Sequence, residues 1–220
     1  MMKNLKFLTS YMGLPLLFVF FYSVGLLLFF LPFTRDLFIV ITPYTVILVS
    51  AAVFYYHKEW NAKSIGILVA IFVLSILVEN IGVATGKLFG VYSYGVGLGV
   101  KILHVPVLIG LNWIVLVYGS NGLVSKYVSN TFLKIIGASL LMVFYDCILE
   151  LAAPLMDMWE FVPNSPPIQN YVLWFLMAIV FHTGIEIVKV NTNNKPGQSL
   201  FIIQVVFFLI IAIGNSILGI

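Results

Sequence analysis

The stretch SIGILVAIFVLSILVENIGVA, residues 64–84, decides the fold. It runs 21 residues with a single ionisable side chain, Glu79. At about 1.5 Å per helical residue, such a run matches the ~30 Å hydrocarbon core of a bilayer. It lacks the period-two alternation of a membrane barrel strand. An open sheet could not satisfy its edge backbone groups in lipid, so a transmembrane helix is the expected form. Six further apolar runs separate cleanly, at 12–31, 37–56, 102–118, 132–155, 171–189 and 199–218. The chain is therefore expected to be all-α, a polytopic membrane bundle of about seven transmembrane helices forming a single domain over 1–220.

Composition points the same way. Hydrophobic residues make up 62% of the chain and charged residues 9%, against roughly a quarter charged in soluble domains. A soluble fold of this length would have too few polar side chains to cover its surface. The lysines are scattered singly, which gives no nucleic-acid footprint. Cys147 is the only cysteine, so an intrachain disulfide and a CxxC motif are both excluded. Residues 1–6 before an apolar run resemble a signal peptide. No small-residue cleavage site follows Leu31, however, and Pro32-Phe33-Thr34-Arg35 reads as a membrane exit, so an uncleaved first helix is expected.

Charge sets the expected orientation. Lys3, Lys6, Lys58, Lys63, Lys126, Lys134, Lys189 and Lys195 fall on one side, eight in all; Arg35, Lys87 and Lys101 fall on the other. The positive-inside bias places the amino terminus in the cytoplasm and the carboxyl terminus outside, which requires an odd number of spans. The expected location is the cell (cytoplasmic) membrane. Two outer connections stand out: 86–101, rich in glycine and tyrosine, and 156–170, with three prolines and no basic residue.

An ionisable group within a transmembrane helix costs about 2.5–3.5 kcal/mol on insertion scales, so each needs a reason. The candidates are Glu79 on the third helix, His104 near the start of the fourth, Asp146 and Glu150 on the fifth, and His182 and Glu186 on the sixth. Counting along helices three and five puts Glu79 and Asp146 at nearly one level, in the outer half of the membrane. Asp146 and Glu150, four apart, share a helix face. A polar cluster is thus expected beneath the two unusual outer connections. Such a cluster can also serve only to join helices, since interhelical hydrogen bonds contribute about 0.6 kcal/mol on average. His182 and Glu186, close to Lys189, read as a structural ion pair, and Asp157 and Glu160 as solvated loop charges. Gly82, Gly86 and Gly90 have the four-residue spacing of close helix packing. Tyr92, Tyr94, Trp113, Trp159 and Trp174 fit either an interfacial belt or faces that stabilise a cation. There is no P-loop, G-x-S-x-G, H-E-x-x-H or D-D-x-x-D pattern, and the last helix lacks the lysine of a retinal Schiff base.

The stretch from Glu79 through Asn80, Thr85, Gly86 and Gly90 to Tyr92-Ser93-Tyr94 resembles the hallmark of the integral-membrane carotenoid hydratases, a family of "carotenoid biosynthesis proteins". Further blocks follow in the family's order: Val105-Pro106 before Asn112-Trp113, Asp146 with Glu150 and Ala153-Pro154, and Pro167-x-x-Asn170-x-x-x-Trp174. The resemblance covers about 79–174. Where the family tends to have Trp-x-Trp, this chain has Trp159-Glu160-Phe161. The resemblance implies a hydro-lyase that adds water across the terminal double bond of an acyclic ψ end group, in lycopene, γ-carotene or a related carotene. It implies Glu79, Asp146 and Glu150 as catalytic residues, surrounded by Thr85, Tyr92, Tyr94, His104, Asn112, Trp113, Trp159, Asn170 and Trp174. Protonating an isolated alkene needs a carboxylic acid that keeps its proton near neutral pH, which an apolar site favours. A second carboxylate could position the attacking water. No metal or organic cofactor is required. The implied partners are the carotenoid, the lipid bilayer and downstream carotenoid-modifying enzymes. Two rivals stay open: a membrane carotene cyclase, and a transporter or ligand binder whose buried charges mark an ion path.

Overall fold

The fold, seen in a computed structural model, describes residues 10–218. Residues 1–6, with Lys3 and Lys6 of the charge count, lie outside the described residues. The described chain forms seven α-helices: α1 Leu14–Phe30, α2 Arg35–Tyr55, α3 Ala62–Thr85, α4 Leu108–Val124, α5 Thr131–Ala152, α6 Ile168–Val188 and α7 Lys195–Leu218. Five of them (α2, α3, α5, α6, α7) are long and apolar enough to cross a membrane, while α1 and α4 have 17 residues each.

Local chemistry sets the boundaries. Asn61 caps α3 by accepting from the backbone N–H groups of Lys63 and Ser64, each at 3.0 Å, and Asn130 caps α5 through Leu133. Gly86 ends α3 in the left-handed conformation, φ +64°. Pro154 halts α5 and opens a 3₁₀ turn, Pro154–Met156. The last helix turn expected at 153–155 is therefore absent. Pro167 precedes the first turn of α6, so that helix begins three residues before the expected 171.

The fourth helix corrects the sequence expectation more strongly. It begins at Leu108 rather than 102, and the residues before it form an antiparallel hairpin, β2 Lys101–Ile102 with β3 Val105–Pro106. Pro106 biases Val105 toward extended backbone, so the apolar run cannot be helical there. His104 consequently sits in the hairpin turn and not on a helix. α4 occupies the centre of the bundle, packed against α2, α3, α5, α6 and α7 and buried along most of its length. Protein rather than lipid covers it, so a helix of about 25 Å suffices.

Both unusual connections fold over one end of the bundle. β1 Tyr92–Tyr94 pairs antiparallel with β4 Trp159–Phe161, matching Tyr92 to Phe161, Ser93 to Glu160 and Tyr94 to Trp159. At this capped end Arg35 donates to the Leu155 carbonyl at 3.0 Å. At the opposite end, Asn194 donates to the Val53 carbonyl and Asn191 to Glu59.

Candidate functional site

Glu79 stands six residues before the end of α3 (85 − 79) and Asp146 six before the end of α5 (152 − 146). At ~1.5 Å per residue both lie about 9 Å below the cap. Glu150 is one turn closer to it. All three are buried: Glu79 is 4% exposed, Asp146 0% and Glu150 8%. A buried carboxyl without a hydrogen bond is costly, and each of these has a donor supplied from another segment.

Tyr92 and Tyr94 occupy one face of β1, and both phenols donate to the same oxygen of Glu79, Oε2, at 2.5 and 2.9 Å. Burial first, and the neighbouring Glu79 carboxylate second, raise both phenols well above the ordinary tyrosine value. They therefore stay protonated and remain donors. The Trp159 indole N–H on β4 donates to Glu150 Oε2 at 3.1 Å. Asn170, in the first turn of α6, donates to Asp146 Oδ2 at 2.9 Å. The other Asp146 oxygen, Oδ1, is buried with no hydrogen-bond donor among the described residues. Asn170, expected to precede its helix, is carried by it instead.

Glu79, Tyr92, Tyr94, Asn112, Trp113, Glu150, Trp159, Asn170 and Trp174 share the wall of one small cavity, about 20 Å³. Its aromatic rings are mutually packed. Trp113 stacks on Trp174 at 4.3 Å, Tyr92 on Phe161 at 5.0 Å, and Tyr94 meets Trp159 edge-on at 5.9 Å. Asp146 lies behind Asn170 and does not line the cavity. Two residues named from the sequence stand apart. Thr85 is exposed and bonds the Ile81 carbonyl, and His104 is exposed, its backbone N–H donating to Asn80.

Three further cavity residues were not singled out by sequence reasoning: Phe89, Ile109 and Phe161. Phe89 had a signal in Gly82, where an added Cβ would come within 2.6 Å of the Phe89 ring. The glycine series is thus no helix-packing stripe. Gly82 admits Phe89, Gly86 ends the helix, and Gly90 lies beyond it. Phe161, in place of the second tryptophan of Trp-x-Trp, is the ring that supports Tyr92.

The opposite end holds a separate polar network. Glu186 pairs with Lys134 of α5 at 2.7 Å and accepts from Asn121 at 2.9 Å. It does not pair with Lys189, because α6 stops at Val188 and Lys189 turns left-handed, φ +58°. His182 is fully buried between Ser120, Ser139 and the Ala178 carbonyl. This network joins α4, α5 and α6 and stands apart from the acid cavity. Asp157, read as a solvated charge, accepts from the Val96 N–H at 3.1 Å and braces the cap.

Among the described residues no three His, Cys, Asp or Glu side chains gather as a metal-ligand set. Chemically, the cavity offers one carboxyl supported by two phenols, a second facing it, and a third just behind, within a largely aromatic lining. Neither the curated proteins nor the solved structures include a significant match. A family described as "Carotenoid biosynthesis protein" matches residues 39–219, which takes in α3 to α6, the cap and all three carboxyls. With that match spanning well over half its length, the chain belongs to the carotenoid biosynthesis protein family.

Proposed function

We propose that the chain is a seven-span, single-domain enzyme of the cytoplasmic membrane, with its amino terminus inside, that hydrates the ψ end group of an acyclic carotene without a cofactor. The observation that carries this reading is the gathering of three carboxyls from two helices, Glu79 and Glu150 on the wall of an aromatic pocket and Asp146 just behind it, each with its own hydrogen-bond donor.

The chemistry follows from that arrangement. Glu79 gives its carboxyl proton to the terminal double bond. The π electrons form the new C–H bond and leave a tertiary cation on the adjacent carbon. Tyr92 and Tyr94 stabilise the carboxylate left behind, and the faces of Trp113 and Trp174 shield the cation. A water held by Asp146, through its unengaged oxygen, forms the C–O bond and passes a proton to that carboxylate. Glu150 faces the pocket as a second acceptor for this water. Proton transfer back from Asp146 to Glu79 restores the starting state. The exchanged assignment, Asp146 as acid and Glu79 as base, balances equally.

The test is chromatography with mass spectrometry on pigments from lycopene-producing cells that express the protein. The expected product is more polar and heavier by one water per reacted end. Glu79→Gln and Asp146→Asn should reach the membrane at normal levels and accumulate unhydrated carotene. An isomer of unchanged mass would replace hydration by cyclisation. Unaltered lycopene and unaltered γ-carotene together would end the enzyme reading.

A further inference from the structure

A second cavity, about 110 Å³, lies beside the acid pocket. The two have three residues in common, Ile109, Asn112 and Trp159, so only side chains separate them. No charged residue lines the larger cavity. Its main polar feature is internally engaged: Gln204 donates to the Tyr22 hydroxyl at 3.0 Å. Phe38, Phe207 and Phe208 form a buried aromatic wall on α2 and α7. The flank on α1 and α2 differs, because Phe21, Val24, Gly25, Ile41, Thr45 and Val46 are only half-buried. The cavity therefore faces the lipid side between α1 and α2 and ends against the acid pocket.

We propose that this cavity is the binding channel for the polyene body of a linear carotene, which enters between α1 and α2 and passes its end group between Ile109, Asn112 and Trp159 to the carboxyls. The proposal rests on the hydration reading for the identity of its occupant. A long, uncharged, rod-shaped hydrocarbon suits an uncharged slot that opens to lipid. The channel holds one arm of the carotene while the remainder stays in the bilayer.

The test narrows the channel without touching the acid pocket. At Gly25 an added Cβ would meet Phe207 at 3.4 Å and Phe38 at 3.7 Å, ordinary contact, so Gly25→Leu projects into the slot. Val46→Phe does the same from α2, and Ile47→Phe, on the exposed face of α2, is the control. Each variant is purified from lycopene-producing cells, checked by elution profile, and measured for bound pigment per protein. Hydration of lycopene and of geraniol, a short terpene with the same dimethylvinyl end, is then compared. Gly25→Leu and Val46→Phe are expected to lose about tenfold in bound pigment and lycopene hydration, as overpacking of a fitted site does, and to keep geraniol hydration. Ile47→Phe should match the wild type.

Undiminished lycopene hydration in both channel variants, or equal loss on both substrates, would overturn the channel. If geraniol is a poor substrate, the pigment ratio against Ile47→Phe decides. Wild-type protein that retains pigment without hydrating it, with pigment lost in the two variants, would sink the hydratase reading and leave the channel standing. Wild-type protein that neither retains nor converts lycopene would remove both.

Discussion

In the proposed reaction a carboxyl hands a proton to an alkene, and the difficulty lies in the anion it becomes within an apolar pocket. Tyr92 and Tyr94 address that anion directly, with two hydroxyls on one oxygen of Glu79. A hydrogen bond to a charged group contributes about 1.5–3 kcal/mol, equivalent to roughly 10- to 150-fold in rate. Tyr92→Phe and Tyr94→Phe should each slow turnover by about that range while leaving membrane expression unchanged. Tyr92 should be the more sensitive, being the more buried and stacked on Phe161. Turnover assays on isolated membranes check this, and wild-type rates in both variants would reduce the phenols to packing. The acids themselves were legible in the sequence, because a carboxyl inside an apolar run is costly enough to demand a role. The role of the tyrosines was not, since the partner of a hydroxyl depends on where a loop returns. Thr85 gained weight only from lying within a recognisable block, and the end of α3 leaves it exposed; His104, a candidate for its ionisable ring, stands exposed in the turn of a hairpin that hydropathy had read as helix.

The elements that decide the site are the least regular ones. β1 and β4 come from connections that sequence reasoning marked as unusual without giving them a structure. Three-residue strands carry almost no periodic signal, and their pairing joins segments about 70 residues apart. Hydropathy found the helices but misplaced the start of α4, because Ile102, Leu103 and Val105 are as apolar as the helix they precede. The proline at 106 was the better guide. Gly90 shows how tightly the cap is seated. Its φ of +107° suits glycine alone, and an added Cβ would lie 2.7 Å from the Pro167 ring at the start of α6. Gly90→Ala should therefore lower the thermal midpoint by several degrees and reduce activity further, by lifting β1 from Glu79. Thermal unfolding in detergent, followed beside activity, checks this; an unchanged midpoint would mean that the cap relaxes around the methyl.

At the scale of the molecule, seven helices surround and include a central α4, with acids near one end and a cation-bridged network near the other. The proposed topology, argued from eight basic residues against three, puts the capped end outside. With the exposed Cys147 replaced by serine, a membrane-impermeant maleimide should label Asn164→Cys on intact cells. Lys126→Cys should react only after permeabilisation, and the reverse pattern would invert the topology. The all-helical, membrane-type character was readable because lipid allows few solutions. The packing order was not, since uniformly apolar helices do not announce their neighbours. The cap has one further consequence. α3 packs mainly on α4 and α6, and α5 on α4, α6 and α7, rather than on each other. What spans them near the acids is the β1–β4 ladder, with Tyr92 and Tyr94 holding Glu79 and Trp159 holding Glu150. The two strands act as the jaws of a caliper, fixed at the ~4.8 Å spacing of paired backbones. Because side chains alternate sides with a period of two, a one-residue slip of either jaw would turn its side chains away from the acid it grips.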